Sequence, residues 1–304
     1  MSLAVLFPGQ GSITPGAGVP WVEHPAWSLV PQIEEAAGRP LAHLLLDAPA
    51  DALAPTDAAQ LATLTLSLVA WDAVRRALGD EPVAAFAGHS LGQVTALLAS
   101  GALPLAEGVA FAAARADATC AADHDRPGRL AALLGATLEE AAEACAAAPD
   151  ACWIANDNAP GQVVIGGTPE GLDAAIEAAR ALGVRKAMPL AVGGAFHTPL
   201  QAPAADALRA RLAALTFATP SAPIVDNTEA RPRRESGGWP ELLARHLVEP
   251  VRWREVQRTL VDDLGVNRIV ELAPAGTLTA MAKRTIPEVA IVNIETLLPA
   301  GMSA

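Results

Sequence analysis

Short apolar runs alternate along the chain with longer segments in which apolar residues recur every three or four positions. Leu3–Phe7 is a continuous apolar run that predicts a buried strand, and Val83–Ala87 predicts a second one. Between them, the apolar residues from Leu61 to Trp71 fall on one face of a helix, and we expect Thr56 to cap its N-terminus. This alternation of buried strands and amphipathic helices is typical of an α/β fold.

The stretch from Arg129 to Val192 has a different order of elements. It predicts strand, helix, strand, strand, helix and strand, at Leu130–Leu134, Leu138–Ala148, Cys152–Asn156, Val163–Gly166, Glu170–Leu182 and Arg185–Leu190. That order is the split pattern of a ferredoxin-like unit. The larger alternation resumes near Gly193 and ends with predicted strands at Arg268–Leu272 and Ala290–Ile294. We therefore expect a large α/β subdomain, residues 1–128 and 193–304, an inserted small subdomain, residues 129–192, and a cleft where they meet.

Composition and charge exclude several classes of protein. Hydrophobic residues make up 52% of the 304 positions and charged residues 18%, which permits a sizeable core and excludes global disorder. The net charge of -12 disfavours nucleic-acid binding, which needs cations that neutralise phosphates. No apolar run approaches the roughly 20 residues that cross a bilayer, and the three cysteines lack metal-ligand spacing. We expect a monomeric, cytoplasmic protein without a metal site and without nucleic-acid or membrane partners.

The first motif with a chemical meaning lies between a predicted strand and a predicted helix, Gln93–Ser100. Residues 88–92 read Gly-His-Ser-Leu-Gly, which matches the pattern G-x-S-x-G. The glycines permit a tight turn that lifts the Ser90 hydroxyl out of the sheet edge, and the N–H of Leu91 points into the same space. The sequence therefore predicts that Ser90 is a nucleophile; a plain turn is the alternative.

A serine nucleophile needs a base, and the chain has six histidines. We expect His89, inside the turn, to brace the cleft. His197 follows two glycines, an alanine and Phe196, and small residues let the backbone approach a ligand. By sequence alone His197 is equally a candidate base and a structural residue. A loop at Pro8–Gly11 follows the first strand, and the backbone N–H of Gln10 is a candidate oxyanion donor, unless the loop is a simple glycine turn.

Four ordered segments together resemble the malonyl-CoA:acyl-carrier-protein transacylase family, which includes discrete fatty-acid enzymes and the acyltransferase domains of polyketide synthases. The segments are Phe7–Ser12, Gly88–Gly92, Gly194–Leu200 and Glu249–Trp253. The resemblance extends from Leu6 to about Glu295. It implies an α/β-hydrolase-like core with an inserted ferredoxin-like small subdomain, in agreement with the order of elements.

The resemblance also implies a two-step reaction through a covalent intermediate. Ser90 would attack the thioester of malonyl-CoA with His197 as general base, and the N–H groups of Gln10 and Leu91 would hold the oxyanion. After CoA leaves, the phosphopantetheine thiol of an acyl carrier protein would take the malonyl group. The CoA thioester is a substrate, and no cofactor is expected.

Substrate choice depends on two further residues under the same resemblance. Arg115 is expected to pair bidentately with the free malonyl carboxylate, which acetyl-CoA lacks; the alternative is a solvent-facing helix residue. Phe196, just before His197, resembles the malonyl-selective form, because its bulk would crowd an α-methyl group. Gly194 replaces the usual histidine and suggests a wider pocket, so substituted malonyl units remain the alternative.

The chain departs from the family pattern near the expected site. His246 stands where the family commonly has glutamine, at a position whose backbone carbonyl orients the catalytic histidine. A backbone contact survives a change of side chain, so we expect activity to persist. Whether His246 is neutral, and whether it competes with His197 for a proton, stays open. Gln93 replaces the more usual acid after Ser90, and Ala116 replaces a glycine.

Other functions remain open from the residues alone. A serine esterase or thioesterase would use the same turn, although such enzymes usually place an acid between the serine and the histidine. Asp117 and Asp173 lie there, but no motif selects either, and a hydrolase has no need for Arg115. A malonate-decarboxylase-type transacylase shares the chemistry with another carrier, and a carrier-binding scaffold without activity is the non-enzymatic alternative.

Overall fold

Two β-sheets organise the chain in this computed structural model. It describes residues 2–292 and 294, so that Met1, Asn293 and residues 295–304 lie outside the described residues, among them part of the predicted strand Ala290–Ile294. The strands are β1 (Leu3–Phe7), β2 (Val83–Gly88), β3 (Arg129–Leu134), β4 (Cys152–Ala159), β5 (Gln162–Gly167), β6 (Lys186–Pro189), β7 (Ile224–Val225), β8 (Pro232–Arg233), β9 (Arg268–Glu271) and β10 (Ala290–Val292).

Helices precede, connect and follow these strands. The α-helices are α1 (Val30–Ala37), α2 (Ala42–Leu46), α3 (Ala50–Leu53), α4 (Thr56–Leu78), α5 (Leu91–Ala99), α6 (Leu105–Asp125), α7 (Leu138–Ala146), α8 (Pro169–Ala181), α9 (Ala202–Ala214), α10 (Trp239–Arg245), α11 (Trp253–Asp262) and α12 (Thr277–Thr285). Short 3₁₀ turns span Val19–Trp21, Pro25–Leu29 and Pro199–Gln201. None of the helices in the described part of the chain is both long and apolar enough to cross a membrane.

The larger sheet has the strand order β10-β9-β1-β2-β7-β8, and its pairs are parallel except for β7 with β8. Strand β1 lies in its middle and is buried on both faces, as parallel strands covered by helices are. Leu3, Val5 and Phe7 belong to one apolar core, and Ala4 and Leu6 belong to the other. The side chains of this apolar run therefore alternate between the two apolar cores on opposite faces of the sheet.

The smaller sheet is antiparallel, with the order β4-β5-β3-β6. Helices α7 and α8 connect its strands and pack on one face, around an apolar cluster that includes Leu133, Ile165 and Leu172. The chain order β3-α7-β4-β5-α8-β6 is the predicted ferredoxin-like order, and its elements fall within residues 129–189. The mixed fold class, a parallel α/β core with a separate small antiparallel sheet, is confirmed.

Two local predictions were wrong. Strand β4 does not end at Asn156 but continues to Ala159, because register shifts accommodate its polar residues and because it also pairs with the large subdomain. The N–H of Asp157 donates to the Val251 carbonyl at 2.9 Å. Thr56 is the first residue of α4 and not its cap; the cap position is Pro55, which has no side-chain hydrogen bond to the helix.

The turn between β2 and α5 is held by very close backbone packing. Phe7 and Gly88 are partners in the pairing of β1 with β2, so both strands end at the same edge of the sheet. A Cβ atom at Gly92 would lie 2.1 Å from the Phe7 carbonyl oxygen, and one at Gly88 would lie 2.0 Å from the Gly92 oxygen. Only glycine lets the first turn of α5 rest against the sheet edge in this way.

We predict that Gly92→Ala destabilises the protein by about 3 kcal/mol, because the new methyl group must push the α5 backbone away from Phe7. Thermal or urea unfolding measures this loss. Gly237→Ala is the matched control, since a Cβ atom there meets nothing within 4 Å. Equal stability of the two variants would contradict the close packing described at Gly92.

Candidate active site

A cavity of about 410 Å³ opens where the carboxyl edge of the parallel sheet faces the small sheet. The large subdomain contributes the loop after β1, the turn after β2 and helix α6 to its wall. The small subdomain contributes a mostly apolar wall, with Asn156, Asn158 and Gln162 as its polar members. Residues that line the cavity include Gly9, Gln10, Ser90, Leu91, Arg115, His197, Leu130, Ala132, Val164, Leu190 and Phe196. The predicted cleft between the two subdomains is therefore present, and it collects most of the predicted site residues.

Ser90 lies at the point of the turn between β2 and α5. Its backbone has φ 54° and ψ -109°, a conformation that residues other than glycine rarely adopt. Leu91 is the first residue of α5, so its N–H has no acceptor within the helix. Gln10 faces the same cavity from the loop after β1. Two backbone segments and a helix N-terminus thus surround the space in front of the serine hydroxyl.

His197 contacts the serine and is oriented by a carbonyl group. Its Nε2 lies 2.7 Å from Ser90 Oγ, and its Nδ1 lies 2.7 Å from the backbone oxygen of His246. A carbonyl can only accept, so Nδ1 carries the proton and Nε2 has the free lone pair that can take the Ser90 proton. The imidazole is oriented by a peptide dipole, and the acids Asp117 and Asp173 take no part, since they pair with Arg39 and Arg129.

Electrostatics keep His197 neutral. The side chain is only 4% exposed. Burial, and then the positive charge of Arg115, lower the pKa of His197 to about 3. At neutral pH the imidazole is therefore unprotonated and can act as a base.

Arg115 is buried on α6, with 4% exposure, which rules out the solvent-facing alternative. Its Nη1 donates to Gln60 Oε1 at 2.5 Å, and its Nη2 donates to Ser90 Oγ at 3.3 Å. Burial lowers the pKa of its guanidinium to about 10, so it stays charged at neutral pH. Among the ion pairs found within residues 2–292 and 294, none involves Arg115.

The other predicted residues are distributed around this centre. His89 lines the cavity and joins the two subdomains, because its Nε2 lies 2.9 Å from Asn158 Oδ1 on β4. Its ring meets Trp253 edge-on at a centroid distance of 5.4 Å. Phe196 lines the cavity beside His197. Gly194 does not line it: a Cβ atom there would meet the Asp123 side chain at 3.3 Å, so the expectation that Gly194 widens the pocket was wrong.

His246 is buried behind His197 at the C-terminal end of α10. The two rings lie 5.0 Å apart between centroids. Burial lowers the pKa of His246 well below its usual value, and the positive charge of Arg115 acts in the same direction. His246 is therefore neutral at neutral pH.

Sequence reasoning missed two residues of this centre. Gln60 on α4 supports the Arg115 guanidinium, and its partner lies 55 positions away, so no local pattern indicates the contact. Asn227 accepts the Ser90 N–H at 2.8 Å and donates to the Gly88 carbonyl at 2.8 Å. Its signal was the polar triplet Asp226-Asn227-Thr228 directly after an apolar pair, but β7 is only two residues long and was not predicted.

The described residues were also compared with the arrangements of side chains that hold metal ions. Across residues 2–292 and 294, no group of three or more histidine, cysteine or acidic side chains is arranged to hold a metal ion. The groups that converge on Ser90 are an imidazole, a guanidinium and backbone amides. This arrangement is suited to covalent acyl transfer through a serine ester, with a cation available for an anionic part of the substrate.

Comparison with known proteins agrees with this chemistry. The family profile described as acyl transferase domain matches residues 6–302. The malonyl CoA-acyl carrier protein transacylase of Salmonella typhimurium is 33% identical over 291 residues, which cover 93% of this chain and 92% of that protein. The transacylase of the same name from Bacillus subtilis is 33% identical over 303 residues, which cover 97% of this chain and 95% of that protein.

Solved structures share the fold over almost the whole chain. An acyl-carrier-protein S-malonyltransferase from Burkholderia pseudomallei superposes with a TM-score of 0.92 at 32% identity, covering 99% of this chain and 98% of that one. A malonyl-transacylase solved in complex with a type II PKS acyl-carrier protein superposes with a TM-score of 0.92 at 28% identity and the same coverage. With its serine centre, its two-sheet architecture and a profile match over nearly its full length, the chain belongs to the acyl transferase domain family.

Proposed function

We propose that this enzyme moves a malonyl group from malonyl-CoA to the phosphopantetheine thiol of an acyl carrier protein. The observation that carries the proposal is the buried Arg115 guanidinium, 3.3 Å from Ser90 Oγ. Its hydrogen bonds go to the neutral partners Gln60 and Ser90. A buried cation without an anionic partner is costly, and an acyl group that brings its own carboxylate would supply that partner.

In the first half-reaction, Ser90 Oγ attacks the thioester carbonyl while its proton moves to His197 Nε2. The negative charge that develops on the carbonyl oxygen is held by the N–H groups of Gln10 and Leu91, at the N-terminus of α5. The C–S bond then breaks, and the proton on His197 passes to the departing CoA sulfur. The malonyl group remains on Ser90 as an ester.

The second half-reaction repeats these steps with a different thiol. His197 takes the proton of the phosphopantetheine thiol, whose sulfur attacks the Ser90 ester through the same oxyanion site. The C–O bond of the ester breaks, and Ser90 recovers its proton from His197. Serine, histidine and backbone amides supply all the chemistry, so the proposal includes no cofactor.

The pocket beside the reacting atoms favours an unsubstituted malonyl group. Phe196 lines the cavity next to His197, and we propose that the bulk of its ring crowds an α-substituent. Every side chain that the proposal uses belongs to one chain, so a monomer is sufficient for activity. Because the substrates are CoA thioesters and a carrier protein, the cytoplasm is the compartment we propose.

We predict that incubation with malonyl-CoA adds one malonyl group to the protein, detected as an increase in intact mass. The Ser90→Ala variant should show no such increase, because it lacks the attacking oxygen. Acetyl-CoA and methylmalonyl-CoA serve as parallel substrates and should give less adduct at equal times. The absence of an adduct with all three thioesters would contradict the proposed function.

The same adduct separates transfer from hydrolysis. Addition of phosphopantetheinylated carrier protein should remove the malonyl group much faster than water does, because the ester must survive until the second substrate binds. Loss of the adduct in buffer alone, at the rate seen with carrier protein, would favour a hydrolase on the same fold.

We predict that Arg115→Leu lowers the acylation rate with malonyl-CoA by about 100-fold to 1000-fold, since a buried charge-assisted pair with the substrate carboxylate is lost. Acylation by acetyl-CoA should fall far less or rise. Removal of an uncompensated buried cation should leave the unfolding midpoint unchanged or higher. If rapid-quench measurements showed that the acylation rates with malonyl-CoA and acetyl-CoA fall equally, Arg115 would not bind the malonyl carboxylate.

The pH dependence of acylation should reflect the low pKa of His197. The base works in its neutral form, so kcat/KM for malonyl-CoA should stay level as the pH falls through 6.5, where an ordinary imidazole becomes protonated. In Arg115→Leu the positive charge that lowers the pKa of His197 is gone. Its activity should therefore begin to fall at a higher pH than that of the wild type. An identical acid limb in both proteins would refute this electrostatic role of Arg115.

A further inference from the structure

A second set of buried polar side chains lies beneath the Ser90–His197 pair. Gln93 on α5 is 0% exposed, His246 at the end of α10 is 1% exposed, and Asn227 after β7 is 0% exposed. The Asn227 N–H donates to Gln93 Oε1 at 2.6 Å, and Gln93 Nε2 lies 3.4 Å from His246 Nδ1. Three separate elements of the large subdomain therefore meet through these side chains.

The direction of each hydrogen bond follows from the backbone groups. A backbone N–H can only donate, so Gln93 Oε1 must face Asn227 and its Nε2 must face His246. The amide nitrogen can only donate, so His246 Nδ1 accepts and the proton of this neutral ring is on Nε2. That Nε2 has no hydrogen-bond partner among the described residues. The Gln93 contact is thus the hydrogen bond that fixes the ring of His246.

These contacts complete a closed circuit through the active site. Asn227 Oδ1 accepts the Ser90 N–H at 2.8 Å, which attaches the circuit to the backbone of the nucleophile. The His246 carbonyl accepts from His197 Nδ1 at 2.7 Å, and His197 Nε2 reaches Ser90 Oγ at 2.7 Å. The chain of hydrogen bonds therefore begins at the backbone N–H of Ser90 and ends at its side-chain hydroxyl. No carboxylate orients His197, so the position of the His246 carbonyl decides the position of the base.

We propose that Gln93 and His246 are positioning residues, and that their side-chain donor and acceptor groups must match for His197 to be aligned with Ser90. Gln93 sits three residues past the nucleophile on the same helix, and His246 supplies the carbonyl that orients the base. A hydrogen bond between them sets the distance between these two parts of the site. The proposal rests on acylation of Ser90 as the proposed function.

The test uses Gln93→Met, Gln93→Glu and the double variant Gln93→Glu with His246→Gln beside the wild type. Methionine at position 93 is close in size to glutamine but can neither accept from the Asn227 N–H nor donate to His246. A carboxylate at position 93 can still accept from Asn227, and its other oxygen can accept from His246, because the proton of the neutral ring can move from the unpartnered Nε2 to Nδ1. In the double variant the glutamine amide at 246 donates to that carboxylate, so both variants with a carboxylate at position 93 keep the match with its polarity reversed.

We expect Gln93→Met to lower the rate of Ser90 acylation by malonyl-CoA by about 10-fold to 100-fold, the effect of a small misplacement of a base. Gln93→Glu and the double variant should each stay within about 5-fold of the wild type, because both keep a hydrogen bond between positions 93 and 246. Binding of malonyl-CoA, measured with each change combined with Ser90→Ala, should stay within about 3-fold, because these residues do not touch the substrate.

Gln201→Met is the matched control, since Gln201 is 1% exposed and lies outside the circuit. Its acylation rate should stay within about 3-fold of the wild type. The proposal is overturned if Gln93→Met acylates at the wild-type rate, if Gln93→Glu and the double variant are no faster than Gln93→Met, or if Gln201→Met loses as much rate. An absent adduct in the wild type would instead contradict the proposed function itself, so the two failures are distinguishable.

Discussion

The buried guanidinium of Arg115, beside the nucleophile, helps to determine the protonation state of His197 and the kind of group that can orient it. Arg115 is held by the Gln60 amide at 2.5 Å and reaches Ser90 Oγ at 3.3 Å. Its charge helps to keep His197 neutral, so the base is ready at neutral pH. A carboxylate near His197 would pair with this cation and compete with a substrate anion. The backbone carbonyl that orients His197 avoids this competition, because it supplies a dipole without a charge.

The division into two subdomains places this cation at the base of a cleft with unlike walls. The large subdomain brings the reacting groups together at the carboxyl edge of a parallel sheet, where strands of α/β folds commonly carry their sites. The small sheet adds an apolar wall that includes Leu130, Ala132 and Val164. Strand β4 joins the two, through backbone pairing with Val251 and the contact of Asn158 with His89. Apolar side chains opposite a buried cation lower the local dielectric and so strengthen the electrostatic interactions on which the proposed chemistry depends.

The sequence predicts well whatever depends on local chemistry. The five apolar residues of β1 predict a buried strand, and the glycines around Ser90 predict a tight turn. The structure has both. The order of elements in residues 129–192 likewise predicts the second sheet. Contacts between distant segments could not be predicted from local patterns. Gln60 contacts Arg115 across 55 positions, and Asn227 follows a strand of only two residues. The burial of Arg115 and the neutral state of His246 also depend on packing that no single segment encodes.

The most direct measurement is a crystal structure of the protein with a malonyl group on Ser90. We predict that both carboxylate oxygens lie about 2.7–2.9 Å from the Arg115 guanidinium nitrogens, as in bidentate pairs. We also expect the ester carbonyl oxygen to face the N–H groups of Gln10 and Leu91. A malonyl carboxylate turned toward solvent, with Arg115 still bonded only to Gln60, would contradict the proposed role of Arg115.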